Sequence, residues 1–339
     1  VASQREQQLM RRALALAAKG PERGINPRVG CVIASPDGTI LGEGWHQGAG
    51  TPHAEVAALA ATAPDAARGA TAIVTLEPCN HTGRTGPCVD ALLAAGITRV
   101  VYASADPGTE SSGGGARLRR SGVDVEAGVL EADVNAFLGD WMTTARLGRP
   151  LVTLKWASSL DGRTAAADGT SVWVTGPDAR ADSHKLRAQH DAIAAGTGTV
   201  LADDPSLTAR DADGALLDAQ PTPVVFGSRQ IPSAARLRQH PLPHIQLPGN
   251  DLVADLQQLR ERGIRSLFLE GGPTLASAFV RAGLVDDYVV YLAPALLGGD
   301  RVALTDIGVS SIGDARRLTL TDVARIGDDV RLTLTPKGQ

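Results

Sequence analysis

The chain has 339 residues, 43% apolar and 21% charged, with a net charge of −4. At roughly 100–200 residues per domain this predicts two domains with real cores, and it excludes a disordered tail or a small disulfide-stapled scaffold. The mildly acidic balance argues against a nucleic-acid binder, and no apolar run approaches the ~20 residues of a membrane helix.

Three cysteines, Cys31, Cys79 and Cys88, in so long a chain predict a reducing, cytoplasmic setting in which any pairing is due to a metal. The N-terminal stretch is charged and amphipathic without a small-residue cleavage site, so it reads as a helix of the fold and not as an export signal. Residues 5–19 carry Leu9, Ala13, Leu16 and Ala17 at helical spacing and stop at Gly20-Pro21. Residues 29–34 and 40–44 read as strands joined by the turn Ser35-Pro36-Asp37-Gly38. A helix over 53–63, a buried strand over 72–76, a helix over 89–95 and a strand over 99–103 follow. Residues 106–115, rich in Gly and Ser, read as loop, and 129–147 as a long helix. Gly148-Arg149-Pro150 punctuates it, which gives expected domains of 1–148 and 149–339.

The second half restarts with a strand over 151–156. A helix over 178–189, strands over 191–195 and 223–226, a helix over 252–262 and a strand over 266–269 come next. A helix over 273–282 and strands over 287–292, 318–326 and 329–334 close the chain. Residues 220–223 and 241–248 read as surface loops. Both halves are thus layered α/β, the second with an antiparallel end.

The sharpest chemical signal is Pro52-His53-Ala54-Glu55 together with Glu77-Pro78-Cys79 and Pro87-Cys88. One imidazole and two thiolates leave a fourth tetrahedral position for water, as an open catalytic zinc site requires. Glu55 then serves that water as proton shuttle. Two residues apart would diverge deep within a helix, but at a first turn set by Pro52 both can face one point. Cys88 after Pro87 opens a helix, whose positive end favours thiolate. This is the pattern of zinc-dependent base deaminases, with eight residues between the cysteines in place of the usual two. Taken singly, His53 reads more readily as a helix cap and Cys79 and Cys88 as small core residues; it is the combination with Glu55 that points to zinc. Cys31, inside a strand-like run, reads as core.

In the second half no G-x-G-x-x-G follows an early strand, which disfavours an ordinary dinucleotide fold. Gly196-Thr197-Gly198-Thr199 is too short a match. Leu269-Glu270-Gly271-Gly272-Pro273 runs strand, two glycines, helix start, and reads either as a pyrophosphate cradle or as a tight connection without a ligand. Ser183-His184 and His190-Asp191 lack a nucleophile elbow, so a hydrolase triad carries little weight.

Several runs resemble the bifunctional riboflavin-biosynthesis deaminase–reductase family. In the first half they are Asn26-Pro27-Arg28-Val29-Gly30, Gly42-Glu43-Gly44-Trp45-His46, Pro52-His53-Ala54-Glu55-Val56 and the run from Thr75 to Cys88 (TLEPCNHTGRTGPC). In the second they are the runs from Leu154 to Arg163 (LKWASSLDGR), Ser171 to Thr175 (SVWVT) and Ala202 to Arg210 (ADDPSLTAR). The resemblance implies a cytidine-deaminase-like layered α/β/α domain followed by a dihydrofolate-reductase-like α/β domain. It implies Zn2+ on His53, Cys79 and Cys88, with Glu55 as proton donor and acceptor. Asn26, His46, His81 and Arg84 would line the deaminase pocket. NADPH would be held by Ala157, Trp173, Thr199, Asp203, Ser228 and the turn Gly272, Pro273, Thr274, Leu275, Ala276, Ser277 and Ala278. The reductase substrate would meet Ser171, Arg187, Leu207, Arg210 and Glu270, and two arginines suit a sugar phosphate. Where the family has Asp-Pro-Asn-Pro, this chain has Asp106-Pro107-Gly108-Thr109, which alters one wall of the pocket.

The expected activity is therefore hydrolytic deamination of a phosphorylated ribosylaminopyrimidine, then NADPH-dependent reduction of its ribosyl chain. A homo-oligomer, dimer or tetramer, is expected, with neither nucleic acid nor membrane as partner. The alternatives are a nucleic-acid base deaminase with an appended non-catalytic nucleotide-binding domain, and a structural zinc with His81 as fourth ligand. Lys155 on a strand is read as buried and paired, its role open.

Overall fold

A computed structural model describes residues 2–21, 26–81, 86–108 and 111–337. The chain divides into two compact units, Val1–Gly148 and Arg149–Gln339. Among the described residues no helix is long and apolar enough to cross a membrane.

The first unit begins with α1 (Gln4–Ala17), closed at its N-terminus by a reciprocal Ser3–Glu6 capping box, and its buried stripe is Leu9, Met10, Ala13, Leu16 and Ala17. Strands β1 (Gly30–Ala34) and β2 (Ile40–Trp45) form the expected hairpin. The turn is closed by Gly38 N–H donating to the Ser35 carbonyl at 2.8 Å. Helix α2 (Ala54–Ala60), strand β3 (Thr71–Leu76), helix α3 (Cys88–Ala94) and strand β4 (Arg99–Ser104) follow. The five-stranded sheet runs β2-β1-β3-β4-β5, with β1 antiparallel to β2 and β3 and the remaining pairs parallel. Helix α1 lies very close to β1: a Cβ on Gly30 would fall 2.0 Å from the Ala13 carbonyl oxygen. Glycine at 30 is thus required by packing.

The loop expected through 106–115 is cut short. Helix α4 (Gly114–Arg120) starts inside it and leads to β5 (Asp124–Ala127), neither of which was anticipated. Among the side chains of α4 beyond its two leading glycines only Leu118 is buried, so no apolar stripe announces the helix. Strand β5 is a half-exposed edge strand of four residues. Helix α5 (Glu131–Leu147) ends the unit.

The second unit holds an eight-stranded sheet in the order β12-β13-β11-β6-β10-β7-β8-β9. Its strands are β6 (Leu151–Ser159), β7 (Ala192–Gly196), β8 (Thr222–Phe226), β9 (Ile245–Leu247), β10 (Ser266–Leu269), β11 (Asp287–Ala293), β12 (Leu318–Ile326) and β13 (Asp329–Pro336). The six from β11 to β9 are parallel, and β13 pairs antiparallel with β11 and β12. Helices α6 (Pro177–Gln189), α7 (Thr197–Asp203), α8 (Leu252–Glu261) and α9 (Pro273–Arg281) connect them. Leu256, Leu259, Phe279 and Val280 bury against Val152, Leu154, Ala194 and Leu267 to make the main core. Strand β9 falls where the sequence suggested loop, and α7 lies in a stretch to which it gave no element. Helix α7 is rich in Thr and Gly, poor helix formers, and β9 has three residues hemmed by prolines. Mixed α/β layering in both units agrees with the expected fold class.

Candidate active sites

The first site forms where α2 and α3 begin. His53 is the N-cap of α2 in extended backbone (φ −67°, ψ 160°), and Glu55 lies in the first helical turn with 3% exposure. The change of direction at the cap lets two residues only two apart serve one point. Cys79 follows β3, and Cys88 is the first residue of α3 after Pro87. His53 Nδ1 lies 3.5 Å from Cys79 Sγ and 3.3 Å from Cys88 Sγ. The three ligand atoms lie within 4.8 Å of one another. Cys88 N–H donates to Cys79 Sγ at 3.4 Å and holds the two sulfur-bearing segments together. His81 does not enter this group, and among the described residues no fourth ligand atom does.

Electrostatics suit a bound cation. The hydrogen bond from the Cys88 thiol and, against burial, those from His53 and the Cys88 N–H bring Cys79 down to about 4. Cys88 is pushed up as the holder of the shared proton and by burial. A divalent ion would replace that proton. Burial raises the Glu55 carboxyl to about 7, near the range a proton shuttle needs.

Asn26 and His46 come together beside this centre. His46 Nε2 lies 2.9 Å from Asn26 Nδ2 and its Nδ1 lies 3.1 Å from the Pro52 carbonyl. The amide can only donate and the carbonyl only accept, so the ring proton belongs on Nδ1. Burial lowers the His46 pKa and keeps the ring neutral. Its ring packs edge-on against His53 at 5.5 Å. His81 Nδ1 is buried with no hydrogen-bond partner. Arg84 lies outside the described residues. The sequence reading gave Glu77 no role. Its carboxylate accepts from Gly115 N–H at 2.9 Å and Asp106 N–H at 3.2 Å, which anchors the altered loop to the segment bearing Cys79.

The second site lies at the C-terminal edge of the parallel strands, where open α/β sheets receive ligands. Pairing of Leu269 with Ala194 and of Gly196 with Phe226 aligns the ends of β10, β7 and β8. The segments that follow therefore converge. Gly272 is the N-cap of α9, and a Cβ on it would meet Thr199 Oγ1 at 3.2 Å, so it borders the first turn of α7. Thr199, Ser228 and the start of α9 thus share one edge. Asp203 lies one turn along, at the end of α7. Ala157 is half-buried on β6. Pro273 and Leu275 are half-buried, Thr274 is exposed and Ala278 is half-buried. Ala276 and Ser277 face the interior, and Ser277 Oγ accepts from Thr305 N–H at 2.8 Å.

Arg187, Glu270 and Arg210 belong to one polar cluster. Arg187 meets Glu270 at 2.6 and 2.8 Å and donates to the Thr208 carbonyl at 2.9 Å. Lys155 Nζ adds a contact to Glu270 at 3.5 Å, which supplies the partner expected for it. Burial would raise the Glu270 carboxyl, yet Arg187 and Lys155 outweigh it and hold it well below the usual range. Arg210 bonds Thr208 Oγ1 through Nε at 2.9 Å, and its N–H donates to His184 Nδ1 at 3.2 Å. His184, set aside above as half of a triad, is thus an acceptor in this cluster. Leu207 is buried within the core around Ile193 and Val225. Ser171 and Trp173 sit on an exposed loop, where Arg180 stacks on Trp173 at 4.6 Å, and among the described residues no hydrogen bond joins them to the cluster.

Residues 3–104 match the family model for the cytidine and deoxycytidylate deaminase zinc-binding region, and residues 150–332 match that for the RibD C-terminal domain. Riboflavin biosynthesis protein RibD of Mycobacterium tuberculosis (strain ATCC 25618 / H37Rv) is 49% identical over 292 residues, covering 86% of this chain and 85% of that protein. The Escherichia coli (strain K12) protein of the same name is 43% identical over 345 residues, with 90% and 92% covered. Among solved structures, Acinetobacter baumannii RibD (form 2) matches with a TM-score of 0.71 and 38% identity, covering 98% of this chain and 99% of that one. A Thermotoga maritima diaminohydroxyphosphoribosylaminopyrimidine deaminase/5-amino-6-(5-phosphoribosylamino)uracil reductase matches with a TM-score of 0.66 and 32% identity over the same shares. The chain belongs to the RibD family, the bifunctional deaminase–reductases of riboflavin biosynthesis.

Proposed function

We propose that residues 1–148 hydrolytically deaminate 2,5-diamino-6-ribosylamino-4(3H)-pyrimidinone 5′-phosphate. Residues 149–339 then reduce the ribosyl chain with NADPH, giving 5-amino-6-(5-phosphoribitylamino)uracil. The observation that carries the first half is the grouping of His53, Cys79 and Cys88 within 4.8 Å beside a buried Glu55.

One imidazole and two thiols fit Zn2+, and His53, Cys79 and Cys88 would hold it. Bound zinc supplies the Lewis acidity that makes water nucleophilic at neutral pH. Glu55 accepts the proton that the attacking water loses and delivers a proton to the departing amine. Neutral His46 and Asn26 orient the pyrimidine, joined by His81 and Arg84. The step takes up one water and releases ammonia.

The second half fits NADPH at the edge formed by Thr199, Ser228 and the start of α9. The absence of a side chain at Gly272 leaves room there, and the free N–H groups of α9 suit a pyrophosphate. Ala157, Trp173 and Asp203 complete that contact surface. NADPH supplies the hydride, and the step consumes one proton. Lys155 and Arg187 against the single charge of Glu270 leave the cluster net positive, and Arg210 adds a further cation. That balance favours the sugar phosphate, with Ser171 and Leu207 at its margin. The net charge of −4 does not favour the nucleic-acid deaminase reading.

With the diaminopyrimidinone substrate and NADPH, the purified chain should release ammonia and oxidise NADPH one for one. Ammonia release without NADPH oxidation would refute the second half of the proposal.

A further inference from the structure

We propose that Arg229 is the residue by which this chain selects NADPH over NADH, its guanidinium pairing with the phosphomonoester on the adenosine 2′-oxygen. The inference rests on the reading that residues 149–339 bind a nicotinamide dinucleotide at the convergent ends of β7, β8 and β10. It adds a residue that neither the motifs nor the resemblance pointed to.

Three observations carry it. The first is position. Arg229 follows β8 by three residues, and its Nε lies 3.4 Å from Thr197 Oγ1. A Cβ on Gly198 would meet Arg229 Nη2 at 3.2 Å, so the guanidinium rests against the first turn of α7. The next residue of that turn, Thr199, borders Gly272 at the start of α9. Arg229 and the α9 start therefore flank the same turn from two sides. That is the layout required for a ligand carrying a pyrophosphate at one point and a separate phosphomonoester at another.

The second is charge availability. Neighbouring cations on the following loop are occupied. Arg236 pairs with Asp204 and donates to its carbonyl, while Arg238 donates to the carbonyls of Pro232 and Ile231. Arg229 makes one long hydrogen bond to a hydroxyl and no ion pair among the described residues. Most of its five donors remain for a ligand, and a planar fork matches phosphate oxygens at two points.

The third is a fixed platform. Gln246 Nε2 on β9 donates to the carbonyls of Gly227 at 2.8 Å and Arg229 at 2.9 Å. The turn that presents Ser228 and Arg229 is thus held before any ligand arrives, and the exposed Ser228 hydroxyl offers a further donor beside it. NADH has a hydroxyl where NADPH has this phosphate, so a cation here discriminates between the two and leaves hydride chemistry untouched.

The test uses the full chain and two probes that carry no nicotinamide and differ only in the 2′-phosphate, 2′,5′-ADP and 5′-AMP, titrated by calorimetry. Wild type should bind 2′,5′-ADP about 10-fold or more tightly than 5′-AMP, the effect of charge-assisted bonds to one phosphate. Arg229→Ala should bring the two affinities to within about 3-fold while 5′-AMP binding stays unchanged, and Arg229→Lys should restore part of the difference. In turnover, Arg229→Ala should raise KM for NADPH by the factor lost in binding, with kcat and KM for NADH as in wild type. A preference that survives in Arg229→Ala, with wild type showing it, overturns the inference alone. Wild type that binds the two probes equally overturns the NADPH reading of the site and this inference with it.

Discussion

Arg187 and Glu270 meet at two points, Nε to Oε1 at 2.6 Å and Nη2 to Oε2 at 2.8 Å, with side chains only 18% and 12% exposed. The pair ties α6 to the residue that follows β10. Lys155, from β6 between β10 and β11, gives Glu270 a second and weaker partner. A buried pair of this kind contributes little beyond an apolar substitute, but breaking it strands a charge. Arg187→Ala should therefore destabilise the second unit by about 3 kcal/mol, since Lys155 alone cannot satisfy both carboxylate oxygens. Urea unfolding followed in residues 149–339 checks this. A loss below about 1 kcal/mol would mean that the pair is solvated in solution.

His184 carries a pH signature. Burial and, after it, the charge of Arg187 lower its pKa from 6.5 to about 4. The unfolded chain then takes up this proton more readily than the folded one. The stabilisation is fully present above 6.5 and is lost as the pH falls through about 4. Protonation also removes the acceptor for Arg210 N–H. The stability gap between wild type and His184→Gln should shrink from about pH 7.5 to about pH 4, and the ring should show no NMR titration between about pH 8 and about pH 6. An imidazole that titrates near 6.5 would contradict this account of the cluster.

Glu55→Gln preserves size and removes the ionisable proton site. It should keep full zinc content, lower ammonia release by about 10²–10⁴-fold, and leave NADPH oxidation on the deaminated substrate intact. Metal analysis beside the two rate assays decides it. Near-normal ammonia release would remove Glu55 from the proton path.

Gly30→Ala tests the approach of α1 to β1. The added carbon would lie 2.0 Å from the Ala13 carbonyl oxygen, a backbone atom that no side-chain rotation relieves. A loss of about 3 kcal/mol in the first unit is expected, with reduction in the second unit surviving. An unchanged thermal transition would show that the helix moves off the strand freely.

The metal-type group was legible because its chemistry is local. Pro52 before an alanine run fixes a helix start, so His53 at the cap and Glu55 in the first turn follow from three residue types. The same holds for Pro87 and Cys88. Glu77 shows the limit. Its place in the Glu-Pro-Cys run is plain, but its partners Asp106 and Gly115 lie 29 and 38 residues away, and no periodicity couples them. Lys155 and Glu270 are 115 residues apart and meet only because β6 and β10 are parallel neighbours. Helix α4 escaped notice because Gly113-Gly114-Gly115 reads as loop, yet Gly114 and Gly115 form its first turn. Arg229 stood next to a residue singled out by resemblance, and only the convergence of three strand ends gives it a role.

If the metal centre and the reductase site work separately, as their different chemistry requires, stripping the metal from one preparation parts the two reactions. After chelation, with the fold monitored by circular dichroism, ammonia release should disappear while NADPH oxidation on the deaminated substrate continues at its original rate, and added zinc should restore the former. Ammonia release from metal-free, folded protein, or loss of both reactions together without unfolding, would contradict the assignment.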